Sequence, residues 1–204
     1  MLQGSLFDTG EEVGLGPLRP RRVTLGLGAW LDLAPGWLSG ADELYDALRA
    51  DVPWRAERRQ MYERVVDVPR LTCFYDGHEP LPHPVLAEAR GALSAHYRAE
   101  LGEPFVTLGM CLYRDGADSV AWHGDRIGRS RDQDTMIAII SVGSARDLAL
   151  RPRDGGPSRR FSVGHGDLAV MGGSCQRTWD HAIPKATGAT GPRISIQYRV
   201  DGVR

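Results

Sequence analysis

TMIAIISVGSARDLALRPRDGGPSRRFSVGHGDLAVMGG, residues 135–173, is the stretch that decides the fold class of this chain. It holds four short apolar runs cut by Gly, Asp and Pro, a pattern typical of short β-strands joined by turns. Similar runs stand on both sides of it: FVTLGMCLYR (105–114), SVAWHG (119–124), TWDHAIP (178–184) and RISIQYRV (193–200). The sequence therefore predicts seven or eight strands from Pro104 onward.

Helical patterns precede these strands. SGADELYDALRA (39–50) places Leu44 and Leu48 on one face, with Ser39 or Asp42 as a candidate cap. A longer pattern follows His83, with Pro at the first helical position, apolar residues at helical spacing and Gly102 as the stop. Helices followed by an unbroken series of strands predict an α+β fold whose β part is a sandwich or jelly roll.

The chain divides into two parts on this reading. Residues 1–22, rich in Gly and Pro, are expected to form an extended or poorly ordered arm. Residues 23–204 are expected to form a single domain, because about 180 residues are enough for one hydrophobic core. Within that domain, residues 23–103 supply the supporting helices and residues 104–204 the strands.

Composition narrows the function classes. No run of 18 apolar residues occurs, and the N-terminus lacks the layout of a signal peptide, so a cytoplasmic protein without membrane spans is expected. Three cysteines without a CxxC pair argue against a disulfide framework or a thiolate zinc site. The net charge of −1 argues against bulk electrostatic attachment to nucleic acid, yet Lys185 is the only lysine and local arginine patches remain open.

His123-Gly124-Asp125 is a candidate metal-binding pair. Alternate residues of an extended strand point to one face, so that an imidazole and a carboxylate can reach the same ion. His181 follows another predicted strand and completes two imidazoles and a carboxylate. This composition is that of the facial triad of non-haem iron(II) oxygenases. The alternative is that each histidine is an ordinary, partly buried side chain with a backbone partner.

The chain contains a second HGD, formed by His165, Gly166 and Asp167. It stands in a glycine-bracketed segment before the run DLAVM. We interpret it as a turn in which His165 is exposed and Asp167 binds backbone amides.

Arg193 and Arg199 lie six residues apart on the last predicted strand and therefore share a face. Arginines on a face that otherwise buries apolar side chains are costly unless they meet anions. A metal-bound dicarboxylate provides such anions, and the guanidinium group pairs with a carboxylate through two hydrogen bonds. The alternative is an edge strand with both arginines in water.

These segments resemble the AlkB-type dioxygenases, which reverse the alkylation of nucleobases. The resemblance covers about residues 104–200. It rests on CLYRDGADSVAWHGD (111–125), GDLAVMGGSCQRTWDHAIPK (166–185) and RISIQYR (193–199), the last corresponding to the family's RxNxxxR. VPRLTCFYDG (68–77) resembles the family's substrate lid.

The resemblance implies a double-stranded β-helix, that is a jelly roll, with iron(II) on His123, Asp125 and His181. Tyr113, Arg193 and Ser195 would face the distal carboxylate of 2-oxoglutarate, and Arg199 its metal-chelating end. The implied reaction consumes O2 and 2-oxoglutarate, hydroxylates an N-alkyl group on a base and releases an aldehyde.

Two positions depart from the family pattern. Cys111 stands where the family has the Asn of NxY, and Ser195 stands where it has the Asn of RxNxxxR. No asparagine occurs anywhere in the chain, so coding bias is a plausible cause. Arg126 and Ile127 follow the HxD pair, where many members have acidic residues that contact the base.

The substrate is expected to be alkylated DNA or RNA, single-stranded or with the target base flipped out, because a buried metal cannot reach a base inside a duplex. A monomer is expected. Tyr75 or Phe74 could stack on the base, Tyr62 or Met61 could wedge the strand, and Arg70 could reach a phosphate. The residues to which we assign substrate binding are Tyr62, Arg70, Tyr75, Trp122 and Arg126. The alternative is that the residues of the lid pack in the core.

Three functions stay open at this point. The first is an oxidative demethylase of nucleobases. The second is a 2-oxoglutarate oxygenase that hydroxylates a protein or small molecule, which Arg126 and Ile127 favour. The third is a non-catalytic jelly-roll binding module.

Overall fold

A computed structural model describes residues 12–61, 64–125, 128–188 and 190–203, with backbone only for 59–61 and 64–67. The elements in chain order are β1 (Gly14–Leu15), β2 (Arg21–Gly26), β3 (Ala29–Ala34), β4 (Leu38–Ser39), α1 (Ala41–Asp51), β5 (Arg55–Met61), β6 (Arg64–Tyr75), α2 (Pro84–Leu101), β7 (Thr107–Tyr113), β8 (Val120–His123), a 3-10 helix (Arg129–Arg131), β9 (Ile137–Gly143), β10 (Arg146–Pro152), β11 (Arg159–Val163), β12 (Leu168–Gly173), α3 (Cys175–Thr178), β13 (Trp179–Ile183) and β14 (Arg193–Arg199).

Two antiparallel sheets form the body of the fold. The larger one has the strand order β2-β3-β12-β9-β14-β7-β6-β5, and the smaller one has the order β11-β10-β13-β8. Eight described strands follow Pro104, as the sequence predicted. Because neighbours in each sheet are mostly distant in sequence, the connections cross between the sheets, as in a jelly roll. The predicted α+β class with a double-stranded β-helix core is confirmed.

The larger sheet has a hydrophobic core on each face. Residues of α1 and α2, among them Leu44, Leu48 and Leu93, pack with alternate strand residues on one face. The other face meets the smaller sheet through a second cluster that includes Tyr113, Ile139 and Leu150. Successive strand residues point to opposite faces, so β3, β7, β9 and β12 each contribute side chains to both cores.

Strand β14 shows how this alternation creates a site. Ile194, Ile196 and Tyr198 belong to the core on the helix side. The intervening residues therefore face the smaller sheet, and all four are polar: Arg193, Ser195, Gln197 and Arg199. A central strand thus carries a polar row into the space between the two sheets.

Both predicted helices are confirmed, with one correction at a cap. Helix α2 begins after His83, whose side chain accepts a hydrogen bond from the Val85 amide, and ends at Gly102 with φ 77°. Helix α1 begins after Gly40, and no side-chain cap bonds to its first turn. The predicted capping by Ser39 or Asp42 is therefore wrong, because Gly40 occupies the cap position. No helix among the described residues has the length and apolar character of a membrane span.

The N-terminal half contains more strand than its sequence pattern indicated. Residues 1–11 of the predicted arm lie outside the described residues, but β1 pairs with β4, and β2 begins at Arg21, before the expected start at Val23. Arg22 pairs with the buried carboxylate of Asp32, which also accepts a hydrogen bond from Tyr97. Strands β2, β3, β5 and β6 extend the larger sheet in the region where the sequence analysis expected helices and a lid.

Candidate metal and co-substrate site

His123 and His181 lie opposite each other on β8 and β13 of the smaller sheet. Their ring centroids are 4.2 Å apart. The register of the two strands shifts between His181 and Ile183, and such irregularities re-aim side chains next to active sites. Asp125 follows two residues after His123, and one ligand atom from each of the three residues lies within 4.8 Å of the others. The structure thus brings the three predicted ligands together.

The charges around these residues favour their ligating forms. Asp125 is 7% exposed, and Arg199 donates to its Oδ2 from Nε at 2.8 Å and from Nη2 at 2.7 Å. Burial alone would raise the pKa of Asp125, but opposing influences, the positive charge of Arg199 foremost, outweigh burial and hold the pKa far below its usual value. Burial and the neighbouring His123 lower the pKa of His181 to about 3. At neutral pH this leaves an ionised carboxylate and a neutral imidazole.

The donor set fits iron(II). Two imidazole nitrogens and one carboxylate oxygen are the ligands of the facial triad. The His123 Nδ1 atom lies 2.8 Å from the Ala121 carbonyl oxygen, so Nδ1–H can donate to that oxygen and leave Nε2 for a metal. The Asp125 backbone carbonyl accepts a hydrogen bond from the Ser130 hydroxyl, which fixes the backbone at this ligand.

The second HGD forms the turn that the sequence predicted. Asp167 accepts hydrogen bonds from the backbone amides of Gly36 at 2.8 Å and Gly164 at 2.7 Å. His165 is exposed, and its Nδ1 accepts a hydrogen bond from the Gly143 amide. These contacts account for the positions of His165 and Asp167 without a bound metal.

Arg193 is buried at the start of β14 without enough partners for its charge. It is 1% exposed, and its Nη2 donates to the Ser141 hydroxyl at 2.7 Å. Among the described residues, Nε and Nη1 have no hydrogen-bond partner. Burial lowers the pKa of Arg193. A carboxylate would satisfy the two free nitrogens, so the pocket fits the distal carboxylate of 2-oxoglutarate.

Tyr113 and Ser195 lie next to Arg193, as the resemblance implied. Tyr113 faces Arg193 across β7 and β14, and the Arg193 guanidinium carbon is 5.2 Å from the Tyr113 ring centroid. Burial raises the pKa of Tyr113 to about 12, so its hydroxyl keeps its proton at neutral pH and can donate to a carboxylate. Ser195 is buried and lies opposite Cys111, so the two departures from the family pattern are cross-strand neighbours.

Gln197 is a residue of this site that the sequence analysis missed. Its amide nitrogen donates to the Ser195 hydroxyl at 2.8 Å, and its amide oxygen accepts from Arg199 Nη2 at 2.7 Å. The signal was present in the sequence, because residues 195, 197 and 199 alternate along one strand and share a face.

The candidate substrate residues are not all on the face of the metal site. Tyr75 packs against the core on the helix side, whereas its neighbour Phe74 lies on the other face beside Gly109 of β7. Arg70 donates to the Ser119 carbonyl, and its Nε is buried without a partner among the described residues. Trp122 is half-buried with the Arg151 guanidinium over its ring at 4.5 Å. Tyr62 and Arg126 lie outside the described residues, and the substrate role of all five stays a prediction.

Known proteins are similar to this chain in sequence and in fold. The profile of the 2OG-Fe(II) oxygenase superfamily matches residues 31–199. The "Alpha-ketoglutarate-dependent dioxygenase alkB homolog 3" of Bos taurus is 31% identical over 192 residues, which are 82% of this chain and 64% of that protein. The protein of the same name in Mus musculus is 30% identical over 210 residues, 92% of this chain and 69% of that one. The "DNA oxidative demethylase ALKBH2" of Arabidopsis thaliana is 28% identical over 228 residues, 89% and 70% of the two chains.

Solved structures agree on the fold. OsALKBH1 superimposes with a TM-score of 0.58 at 12% identity, over 87% of this chain and all of that one. A 2OG-Fe(II) oxygenase family oxidoreductase from Burkholderia pseudomallei gives a TM-score of 0.57 at 14% identity, over 83% and 84%. With the profile match across both sheets, the alkB relatives and the His-Asp-His cluster, the chain belongs to the 2OG-Fe(II) oxygenase superfamily as an AlkB-type dioxygenase that uses iron(II), 2-oxoglutarate and O2.

Proposed function

We propose that this dioxygenase demethylates alkylated nucleobases in DNA or RNA. The observation that carries the proposal is the similarity, over 89% of the chain, to a protein named a DNA oxidative demethylase. The chain spans 64% of the length of its bovine relative, so the activity is proposed for the residues present here.

Bound iron(II) supplies the oxidation, in which O2 and 2-oxoglutarate give succinate and carbon dioxide while one oxygen atom enters the N-alkyl group. The resulting N-hydroxyalkyl group loses its hydroxyl proton to water as the carbon–nitrogen bond breaks. The electron pair of that bond stays on the base nitrogen, and the unalkylated base and an aldehyde are released. His123, Asp125 and His181 hold the metal, and Arg193 and Tyr113 bind the distal carboxylate of the co-substrate. Arg199 keeps Asp125 ionised and oriented through its two hydrogen bonds.

Phe74 is the aromatic residue best placed to hold the target base. It is 44% exposed, on the face of the larger sheet that carries the polar row of β14. A cavity of about 320 Å³ opens beside it, with Asp76, His78 and Thr107 also in its wall. Aromatic side chains bind extruded or single-stranded bases by stacking. We infer that Phe74 takes the stacking role that the sequence analysis offered to Tyr75 as well.

Replacing Phe74 with alanine is expected to weaken the binding of a single-stranded methylated oligonucleotide by about tenfold, since stacking on one aromatic side chain contributes roughly 1–3 kcal/mol. Fluorescence anisotropy with a labelled oligonucleotide measures this change. Leu27→Ala is a matched control, because Leu27 is also an exposed large apolar residue, at the opposite end of the sheet. Unchanged binding in Phe74→Ala, together with a loss in a stably folded Tyr75→Ala variant, would return the role to Tyr75.

A panel of modified oligonucleotides tests the proposed activity. The iron(II)-loaded protein, with 2-oxoglutarate and ascorbate, is given DNA and RNA oligonucleotides carrying 1-methyladenine, 3-methylcytosine or etheno adducts. We expect formaldehyde from at least one methylated oligonucleotide and none from its unmodified counterpart. Succinate formation with a protein or metabolite substrate, and none with any oligonucleotide, would contradict the proposal and favour the second function class.

A further inference from the structure

Gln197 lies between the two arginines of the co-substrate site, in the polar row of β14. Its cross-strand neighbours are Gly109 on β7 and Ile139 on β9. Gly109 has no side chain, and a Cβ added there would lie 3.3 Å from Arg199 Nη1. The glycine therefore leaves room for the Gln197 carboxamide and the Arg199 guanidinium on the same side of the sheet.

The Gln197 carboxamide joins the two ends of this row. Its Nε2 donates to the Ser195 hydroxyl at 2.8 Å and lies 3.6 Å from the Cys111 sulfur. Its Oε1 accepts from Arg199 Nη2, and the same guanidinium binds Asp125. A single amide thus contacts both positions at which the family pattern has asparagine, and also the arginine that pairs with a metal ligand.

We propose that Gln197 is a 2-oxoglutarate-binding residue. Its carboxamide replaces the amides of the family's two asparagines, at whose positions this chain has Cys111 and Ser195. Residues two apart on a strand share a face, and a glutamine side chain is one methylene longer than asparagine. From position 197 the amide therefore reaches back to the space beside Ser195. The chain therefore keeps an amide in the pocket, but the residue that carries it lies two positions further along β14 than the family's asparagine.

A carboxylate would be a better hydrogen-bond acceptor for Gln197 Nε2 than the Cys111 sulfur that it contacts in the structure. A thiol sulfur is a weak hydrogen-bond acceptor, whereas a hydrogen bond to an ionised carboxylate is about twice as strong as a neutral one. Exchanging the Cys111 contact for a carboxylate oxygen of 2-oxoglutarate therefore favours binding. The Oε1 atom meanwhile holds Arg199 in place, so Gln197 is also a positioning residue for Asp125.

Replacing Gln197 with threonine, a residue that favours strands, tests this proposal. The iron(II)-loaded protein is titrated anaerobically with 2-oxoglutarate in the absence of nucleic acid, and the charge-transfer absorption of the complex gives the dissociation constant. We expect 2-oxoglutarate to bind about 10- to 100-fold more weakly, as for the loss of a hydrogen bond to a charged group. Gln133→Thr, at an exposed glutamine, should bind as the wild-type protein does.

A second substitution distinguishes an amide in the pocket from a merely structural residue. Adding Ser195→Asn to Gln197→Thr returns the amide to the family's position, and we expect the double variant to recover most of the lost affinity. If the threonine variant folds poorly, Gln197→Met keeps the length of the side chain and is expected to lose the same affinity at an unchanged melting temperature.

Wild-type affinity in a folded Gln197→Thr or Gln197→Met variant would overturn the proposal, and so would a loss that Ser195→Asn fails to recover. The proposal rests on the use of 2-oxoglutarate, which the family defines, and not on the nucleic acid. Because the titration contains no oligonucleotide, its outcome is independent of whether nucleobases are the substrate.

Discussion

Arg193→Met is expected to stabilise the metal-free protein while it removes most of the affinity for 2-oxoglutarate. The wild-type guanidinium is buried with two nitrogens that lack partners among the described residues, and its charge is costly there. Replacing a buried charge with an apolar side chain of similar length is expected to raise the free energy of unfolding by about 1–3 kcal/mol. Removing the partner of the co-substrate carboxylate is expected to cost about 2–5 kcal/mol of binding, which is roughly 30- to 5,000-fold in affinity.

Two measurements check these opposite changes. Denaturant unfolding gives the stability of the metal-free protein, and the anaerobic titration gives the affinity for 2-oxoglutarate. Arg193→Lys is the matched control: it keeps the charge but lacks the planar fork, so it should recover little of the affinity and none of the added stability. A destabilised Arg193→Met variant with normal affinity would mean that Arg193 has a structural role instead.

His181→Ala is expected to abolish succinate formation, because it removes one of three metal ligands from a site that is preformed in the fold. Mutating residues that merely orient metal ligands lowers metal affinity by about 10- to 100-fold, so the loss of a ligand is expected to exceed about 100-fold. Isothermal titration with iron(II) under anaerobic conditions measures the affinity directly. His165→Ala is the matched control, since the second HGD forms a turn whose contacts need no metal.

The pair of variants distinguishes the two HGD motifs. The expected result is loss of iron(II) binding in His181→Ala, with wild-type affinity and succinate formation in His165→Ala. If His165→Ala lost iron(II) affinity while remaining folded, the metal would have to be assigned to the second motif.

The pairing of His123 with Asp125 could be predicted because it is local, whereas His181 was predicted from its residue type after another strand and from the family resemblance. Side chains two residues apart in an extended segment point to the same face, and this fixes the relative direction of His123 and Asp125. The row formed by Arg193 and Arg199 follows from the same alternation. The turn around Asp167 could likewise be predicted from local sequence, because glycines flank it and aspartate side chains bind nearby backbone amides.

The features that the sequence did not reveal depend on pairing between distant strands. Only the register of β6 against β7 places Phe74, rather than Tyr75, on the face of the metal site. Alternation along β14 already places Gln197 on the face of Ser195 and Arg199, but its contact with Cys111 follows only from the pairing of β14 with β7. Strand β3 was missed because its partner β12 is more than a hundred residues away in sequence, and β2 joins the sheet through β3.

The reaction products from a methylated oligonucleotide test the central claim most directly. The iron(II)-loaded protein is incubated with O2, 2-oxoglutarate and each oligonucleotide of the panel in turn, and succinate, formaldehyde and the oligonucleotide mass are measured together. An oxidative nucleobase demethylase forms one succinate for each formaldehyde, while the oligonucleotide loses the mass of one methylene group per modified base. Succinate formation without formaldehyde or any change in oligonucleotide mass, across the whole panel, would contradict the account.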